Sequence, residues 1–517
     1  MIITALYKRT GFNSVGGSLR LSRRQTRKRK QMNIAQAKDE IKRALQIYFR
    51  KDETGMYTCP PERQRPILLI GPPGIGKTAV MEQIARECNV GLVAYTMTHH
   101  TRQSAIGLPR IVSREYDGVQ TQVTEYTLSE IVASVRDCTA RTGLTEGILF
   151  IDEINCVSET LAPVMLQLLQ SKTFGMHPVP SGWLICAAGN PPEYNRSARP
   201  FDLVTLDRVR CIPIEPDLDC WLDYAVSRNL HEAVLSFLQM NPEAFYQAES
   251  SAARQVFVTA RGWEDLSFLI RSSEQLELPL GESQIRQYLG SDRTAKEFAA
   301  YYRLCCTCRT DYDIRSILDG STGKDRLEEH KTQLQKVSFE ERYLISSMIL
   351  GILCREMEAY QQKADLYERL LDFSGSFTDT GASDLFRSRI LEEEVRMKKR
   401  KAAGLLPPQE EHRQRALLHL LEQLRERSAS GHDVSFPAQN AVLAEELAGM
   451  QKDTAHTAQN ILEMLEKAFS FAGSYCAEDQ EMLVLVSGLS RNKNAVRFLS
   501  RYRSEPFLEW SARLLPD

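Results

Sequence analysis

The stretch Pro66-Ile67-Leu68-Leu69-Ile70-Gly71-Pro72-Pro73-Gly74-Ile75-Gly76-Lys77-Thr78-Ala79 joins an apolar run, a glycine-rich turn and the start of a helical pattern, Lys77–Cys88. Gly71 to Thr78 fit G-x-x-x-x-G-K-[ST], and a strand before and a helix after are the context that motif requires. Glycine lets the backbone wrap closely around phosphates with its N–H groups turned inward. The helix starting near Lys77 adds the positive end of its dipole. Gly71, Pro72, Pro73, Gly74, Ile75, Gly76, Lys77, Thr78 and Ala79 are therefore candidate nucleotide-binding residues. Lys77 is expected on the β- and γ-phosphates and Thr78 on Mg²⁺.

Four more short apolar runs have the look of buried parallel strands: Gly91–Thr96, Gly147–Ile151, Trp183–Ala188 and Arg210–Ile214. Helical patterns such as Thr127–Thr139 lie between them. This alternation predicts an α/β fold, a P-loop NTPase αβα sandwich with a five-stranded parallel sheet. The third run ends in Asp152-Glu153, about 75 residues beyond the lysine of the loop. A carboxylate at that strand end can hold the Mg²⁺ water shell, which assigns Asp152 to the metal and leaves Glu153 to polarise an attacking water. No N-K-x-D guanine reader is present, since Asn492-Lys493-Asn494-Ala495 lacks the acid, and this favours ATP over GTP.

After Pro216 strand signals nearly vanish. Helical patterns follow at Leu218–Ser236, Trp263–Leu276, Glu282–Leu304, Phe339–Leu371, Leu385–Lys401, Glu410–Arg427, Ala438–Phe471 and Glu481–Arg501, with a loop expected at Ser374–Ser383. Their spacing of Leu and Ile is amphipathic, so each needs a partner on one face. The chain divides into an ATPase core at 32–215, an α-helical lid at 216–304 and an all-α C-terminal region at 305–517. The apolar run Leu344–Cys354 is far short of a membrane span. Twelve cysteines show no disulfide framework, and Cys305-Cys306-x-Cys308 has no partner pair at zinc spacing. The thiols read as reduced and the compartment as cytoplasmic. Residues 1–31 hold nine Lys or Arg and no acid, leaving 56 basic against 67 acidic residues beyond them. Such an extension could be a targeting peptide or a nucleic-acid arm, or could precede a true start at Met32.

With these motifs in place the chain resembles the AAA+ ATPases, and within them the MoxR-like branch related to the dynein-type and magnesium-chelatase ATPases, over about Met32 to Leu304. The resemblance implies that Asn190, at the end of Trp183-Leu-Ile-Cys-Ala-Ala-Gly-Asn190, is the sensor that helps orient the lytic water. Leu206-Asp207-Arg208-Val209 is similar to the family's L-D-R-F element, which makes Arg208 the arginine finger, with Arg199 and Arg210 as alternatives. Thr259-Ala260-Arg261 looks like the start of the second sensor, so that Arg261 contacts phosphate from the same subunit. The segment from Thr101 to Glu130 is similar in position to the family's helix-2 insertion, which implies contact with a client; an ordinary surface loop is the alternative reading.

The resemblance further implies a ring, hexameric in the family, that remodels or activates a protein partner, often one with a von Willebrand factor A domain. A nucleic-acid motor would need a basic face. The best candidate, Arg396–Lys401, follows Glu392-Glu393-Glu394 and reads as a solvated helix face. A nucleotide-gated scaffold without turnover is the third reading, opposed by Glu153, Asn190 and Arg208.

Overall fold

The computed structural model describes residues 31–99, 101–195, 197–250, 255–375, 385–402, 405–430, 436–476 and 479–514. The basic segment 1–30 and most of the Ser374–Ser383 stretch lie outside them. The core elements are α1 (Ile34–Tyr48), β1 (Ile67–Ile70), α2 (Lys77–Cys88), β2 (Gly91–Thr96), α3 (Arg102–Ile106), β3 (Pro109–Tyr116), β4 (Val119–Tyr126), α4 (Glu130–Thr142), β5 (Gly147–Asp152), α5 (Ala162–Ser171), β6 (Thr173–Phe174), β7 (His177–Pro178), β8 (Trp183–Gly189), α6 (Leu203–Arg208) and β9 (Arg210–Pro213).

Five strands form one parallel sheet in the order β2-β5-β8-β1-β9. Both faces are covered, one by α1 and α2 and the other by α4 and α5, which separates the apolar side chains into two clusters. Double coverage is why these strands read as continuous apolar runs rather than alternating ones. The αβα sandwich expected from the sequence is the fold. The segment before α1 belongs to it, since Met32 N–H donates to Pro213 O at 3.0 Å.

The insertion between β2 and β5 carries an antiparallel hairpin, β3–β4, that the sequence reading left without strands. Asp117 and Gly118 form its turn with both φ positive (50° and 79°), the tight turn that matches strand twist. Ile111, Tyr116 and Val119 are exposed along it. Because neither face is buried in a core, its composition shows no clean alternation.

The lid and C-terminal elements are α7 (Leu218–Ser227), α8 (Glu232–Met240), β10 (Gln247–Ser250), β11 (Gln255–Val258), α9 (Ala260–Gln275), α10 (Glu282–Tyr288), α11 (Asp292–Tyr312), α12 (Ile314–Asp319), α13 (Lys324–Leu334), α14 (Phe339–Gly375), α15 (Leu385–Ala402), α16 (Pro408–Ser430), α17 (Phe436–Tyr475), α18 (Gln480–Arg491), α19 (Lys493–Arg501) and α20 (Glu505–Leu514). Three helices expected as continuous are broken. Asn229 at φ 50° ends the first, and the His231 side chain caps α8. Gly290 ends the second by exchanging two backbone hydrogen bonds with Phe257. Asn492 ends the third and caps α19 through Asn494 N and Ala495 N. The pair β10–β11 is also new relative to the sequence reading.

One apolar cluster runs from Trp221 to Phe498, and α11 passes without a break through Leu304 and Cys305, where the sequence reading divided lid from C-terminal region. At the same joint Glu232 is buried against Arg309 (3.0 Å) and Arg355 (3.2 Å). Burial pushes its carboxyl up, but His231, Arg355 and Arg309 outweigh that and hold it well below the usual range. A second small cluster joins the end of α14 to α15, α16 and α17, and α15 lies against α4 of the core. Cys305 and Cys308 are buried while Cys306 is exposed, and no group of three metal-binding side chains occurs among the described residues. No described helix is long and apolar enough to cross a membrane. On α15, Arg396, Lys398, Arg400 and Lys401 pair with Glu393, Glu394, Glu410 and Glu411.

Candidate active site

The glycine-rich loop runs from the end of β1 into α2. Gly74 and Gly76 stand at φ 73° and 92°, in the left-handed region that a side chain disfavours. Space is closed at Gly74 as well: an added Cβ would come within 2.8 Å of Thr259. Thr259 is the cap of α9, accepting from Gly262 N–H at 3.2 Å, so the lid helix begins directly on the loop. Tyr246 adds a second tie by donating to Pro73 O at 2.8 Å.

The loop opens on a cleft of about 390 Å³. Pro73, Gly74, Ile75, Gly76, Lys77, Thr78 and Ala79 line it, together with Asp152, Glu153, Asn190 and Arg261. Residues near the ends of β1, β5 and β8 and the first turn of α9 are thus brought together, as expected for a parallel sheet with its site at the carboxyl edge. Gly71 and Pro72 are not in the wall. They act through their carbonyls, each accepting from Lys77 Nζ at 2.8 Å. Lys77 also donates to Asn190 Oδ1 at 2.8 Å. Thr78 Oγ1 donates to Asp152 Oδ2 at 2.7 Å, which brings together two hard oxygen ligands of the type Mg²⁺ takes.

Glu153 follows Asp152 at φ 54°, a conformation costly for a residue with a Cβ, and its N–H donates to Asp152 Oδ1 at 2.9 Å. Strain of roughly 1 kcal/mol or more at such a residue persists where neighbouring bonds enforce it. Arg208 is not in the cleft. It ends α6, exposed, and has no hydrogen-bond or ion-pair partner among the described residues. The two alternatives are engaged, Arg199 with Glu159 and Arg210 with Glu40, both at 2.9 Å.

Sequence reading missed one end of the cleft. Ile34 and Ala35 of α1, Trp221 and Tyr224 of α7, and Phe245 also line it, beside Lys38, Asp217 and Glu264, and their apolar surface is suited to the base of a nucleotide. No local motif marks these residues, because they come from separate elements. Asn155 was missed too, although its position two residues after Glu153 could have drawn notice.

Burial drives the Lys77 ammonium down to about 8; Asp152 and Glu153 oppose the shift and Arg261 adds to it. Phosphate oxygens bind the charged form, so nucleotide affinity should be nearly constant below this value and fall as the pH rises through it. The loss should approach about tenfold per pH unit while the bound lysine stays protonated. Fluorescent-nucleotide titrations between pH 7 and 9.5 measure this, and a flat affinity would contradict it.

The αβα sandwich, the phosphate loop and the carboxylates at the strand ends define a P-loop nucleotide-binding protein. Residues 66–206 match the AAA domain (dynein-related subfamily) family. The chain thus contains an AAA+ ATPase domain, which supports nucleotide-dependent ATPase activity in general. No curated protein sequence matches the chain. One solved structure, of a Cytophaga hutchinsonii protein assigned as an ATPase, aligns over 46% of this chain and 58% of its own, at 16% identity and a TM-score of 0.24.

Proposed function

We propose that the protein is a MoxR-like AAA+ ATPase that binds Mg·ATP between its core and lid and hydrolyses it in an oligomeric ring, remodelling or activating a protein partner. The observation that carries this reading is the placement of Arg208. The cleft already gathers phosphate loop, acids, sensor asparagine and one lid arginine, while Arg208 stands exposed outside it, with no ion-pair partner among the described residues. A cation so presented suits the cleft of a second copy, and a contact between unlike faces closes into a ring.

In this reading the loop N–H groups and Lys77 hold the phosphates, Lys77 exchanging its three present acceptors for phosphate oxygens. Thr78 and Asp152 would hold Mg²⁺, which offsets the charge of the β- and γ-phosphates. Glu153 takes a proton from the water that attacks the γ-phosphorus, and the bond to the β–γ bridging oxygen breaks, giving ADP and phosphate. Asn190 orients that water. Arg208 of the neighbouring copy stabilises charge developing on the transferred group. Arg261 reports the phosphate to the lid. The β3–β4 hairpin, with Ile111, Tyr116 and Val119 exposed, is the proposed client contact.

Assembly is the test. In sedimentation velocity with Mg·ATP, the Glu153→Gln chain should move to a single larger species, of a size consistent with six copies. A monomer at every concentration and nucleotide state would remove the ring.

A further inference from the structure

Asn155 lies in the turn after β5, two residues beyond Glu153, and only 7% of it is exposed. Its Nδ2 donates to Asn190 O at 2.8 Å and to Arg199 O at 3.3 Å. Its own carbonyl accepts from Arg199 N–H at 2.9 Å. On the other side Oδ1 presses on Gly189, where an added Cβ would come within 2.6 Å. The preceding residue, Ile154, donates its N–H to Ala188 O at 3.0 Å. The turn that holds Glu153 is therefore bonded to the end of β8 and to the start of the segment leading into α6.

That segment is short. Three residues beyond Arg199, Asp202 caps α6 by accepting from Thr205 N–H at 2.7 Å, and α6 ends at Arg208. At the other end of the chain of contacts, the Asn190 side chain accepts from Lys77 Nζ. Among the described residues Asn155 is the one side chain that bonds both Asn190 and the backbone entering the arginine-bearing helix. Both amide protons are used, in a buried place where an unmet group costs about 1–3 kcal/mol. The Arg199 side chain plays no part in this link, since it turns outward to Glu159.

We infer that Asn155 is a positioning residue that couples Asn190 in its own cleft to the finger Arg208 offered to the next subunit. The inference rests on the proposal that Arg208 acts on a neighbouring copy. When ATP draws Lys77 to its phosphates, Asn190 loses the ammonium that now holds it. Asn155 passes the resulting adjustment to residues 199–208. A subunit's own nucleotide state thereby sets how well its finger serves its neighbour.

Complementation gives a directional test. Arg208→Ala keeps a cleft but offers no finger, whereas Glu153→Gln offers a finger but cannot turn over. Mixed in equal amounts, the two should recover ATPase activity. Asn155→Ala is then placed in one chain at a time, with Asn155→Ser as a second variant in case the first does not fold. Each chain is first checked for assembly with Mg·ATP. Placed in the finger-donating Glu153→Gln chain, the substitution should lower the recovered rate about tenfold or more, as expected for a displaced catalytic group. An unchanged rate there, or a loss seen only when the substitution sits in the Arg208→Ala chain, would overturn the coupling and leave the ring intact. No recovery from the original pair, with both chains assembled, would overturn the trans finger and the coupling with it.

Discussion

Arg208→Ala is expected to hydrolyse ATP at least about a thousandfold more slowly than wild type, in the range that loss of an arginine finger produces. Its affinity for nucleotide should stay within about twofold, because the residue lies outside the cleft of its own chain and touches nothing in it. The side chain is exposed and has no partner among the described residues, so its removal costs the fold little. Arg199 and Arg210 provide the contrast. Each is already held by a glutamate, Glu159 and Glu40. Replacing the exposed Arg199 with Ala removes a surface pair worth about 0–1 kcal/mol and should leave most of the turnover. Steady-state ATPase assays beside equilibrium nucleotide binding separate these cases. Joint loss of binding and turnover in Arg208→Ala would assign the residue to its own cleft or to folding.

Glu153→Gln should lose turnover by a factor of about 10² to 10⁴, the usual share of a general base, while retaining Mg·ATP. Glutamine is nearly isosteric and can keep the turn at φ 54° with its N–H on Asp152, so loop, metal ligands and sensor stay in place. A chain that holds ATP without consuming it is also stabilised by mass action, about 2.7 kcal/mol at a hundredfold excess over Kd. Thermal melting with Mg·ATP should therefore rise for this variant and hold over hours, whereas wild type drifts back as ADP accumulates. Equal turnover in the two chains would remove Glu153 from the chemistry.

The residues most legible in the sequence are those whose chemistry is local. Lys77–Cys88 has the bounds expected for it, and each of the five sheet strands lies within a residue of its expected ends, because strands buried on both faces must be apolar throughout. The phosphate loop and Asp152-Glu153 are adjacent in sequence to the strands that aim them. What escaped depends on contacts between distant segments. The β3–β4 hairpin is exposed on both faces and carries no core pattern. Ile34 and Trp221 meet at the cleft from helices far apart in the chain. Asn155 reads as a turn residue until its amide is seen on Asn190 and Arg199. The helix breaks at Asn229, Gly290 and Asn492 follow from caps and a backbone pairing that apolar periodicity does not register.

A composite ATPase site shared between copies is tested most sharply by specific ATPase activity as a function of protein concentration. Glu153→Gln provides the baseline in the same assay. Activity per chain should rise with concentration to a plateau and be absent in the variant. Activity that is flat over the whole range and persists in Glu153→Gln would contradict the shared site.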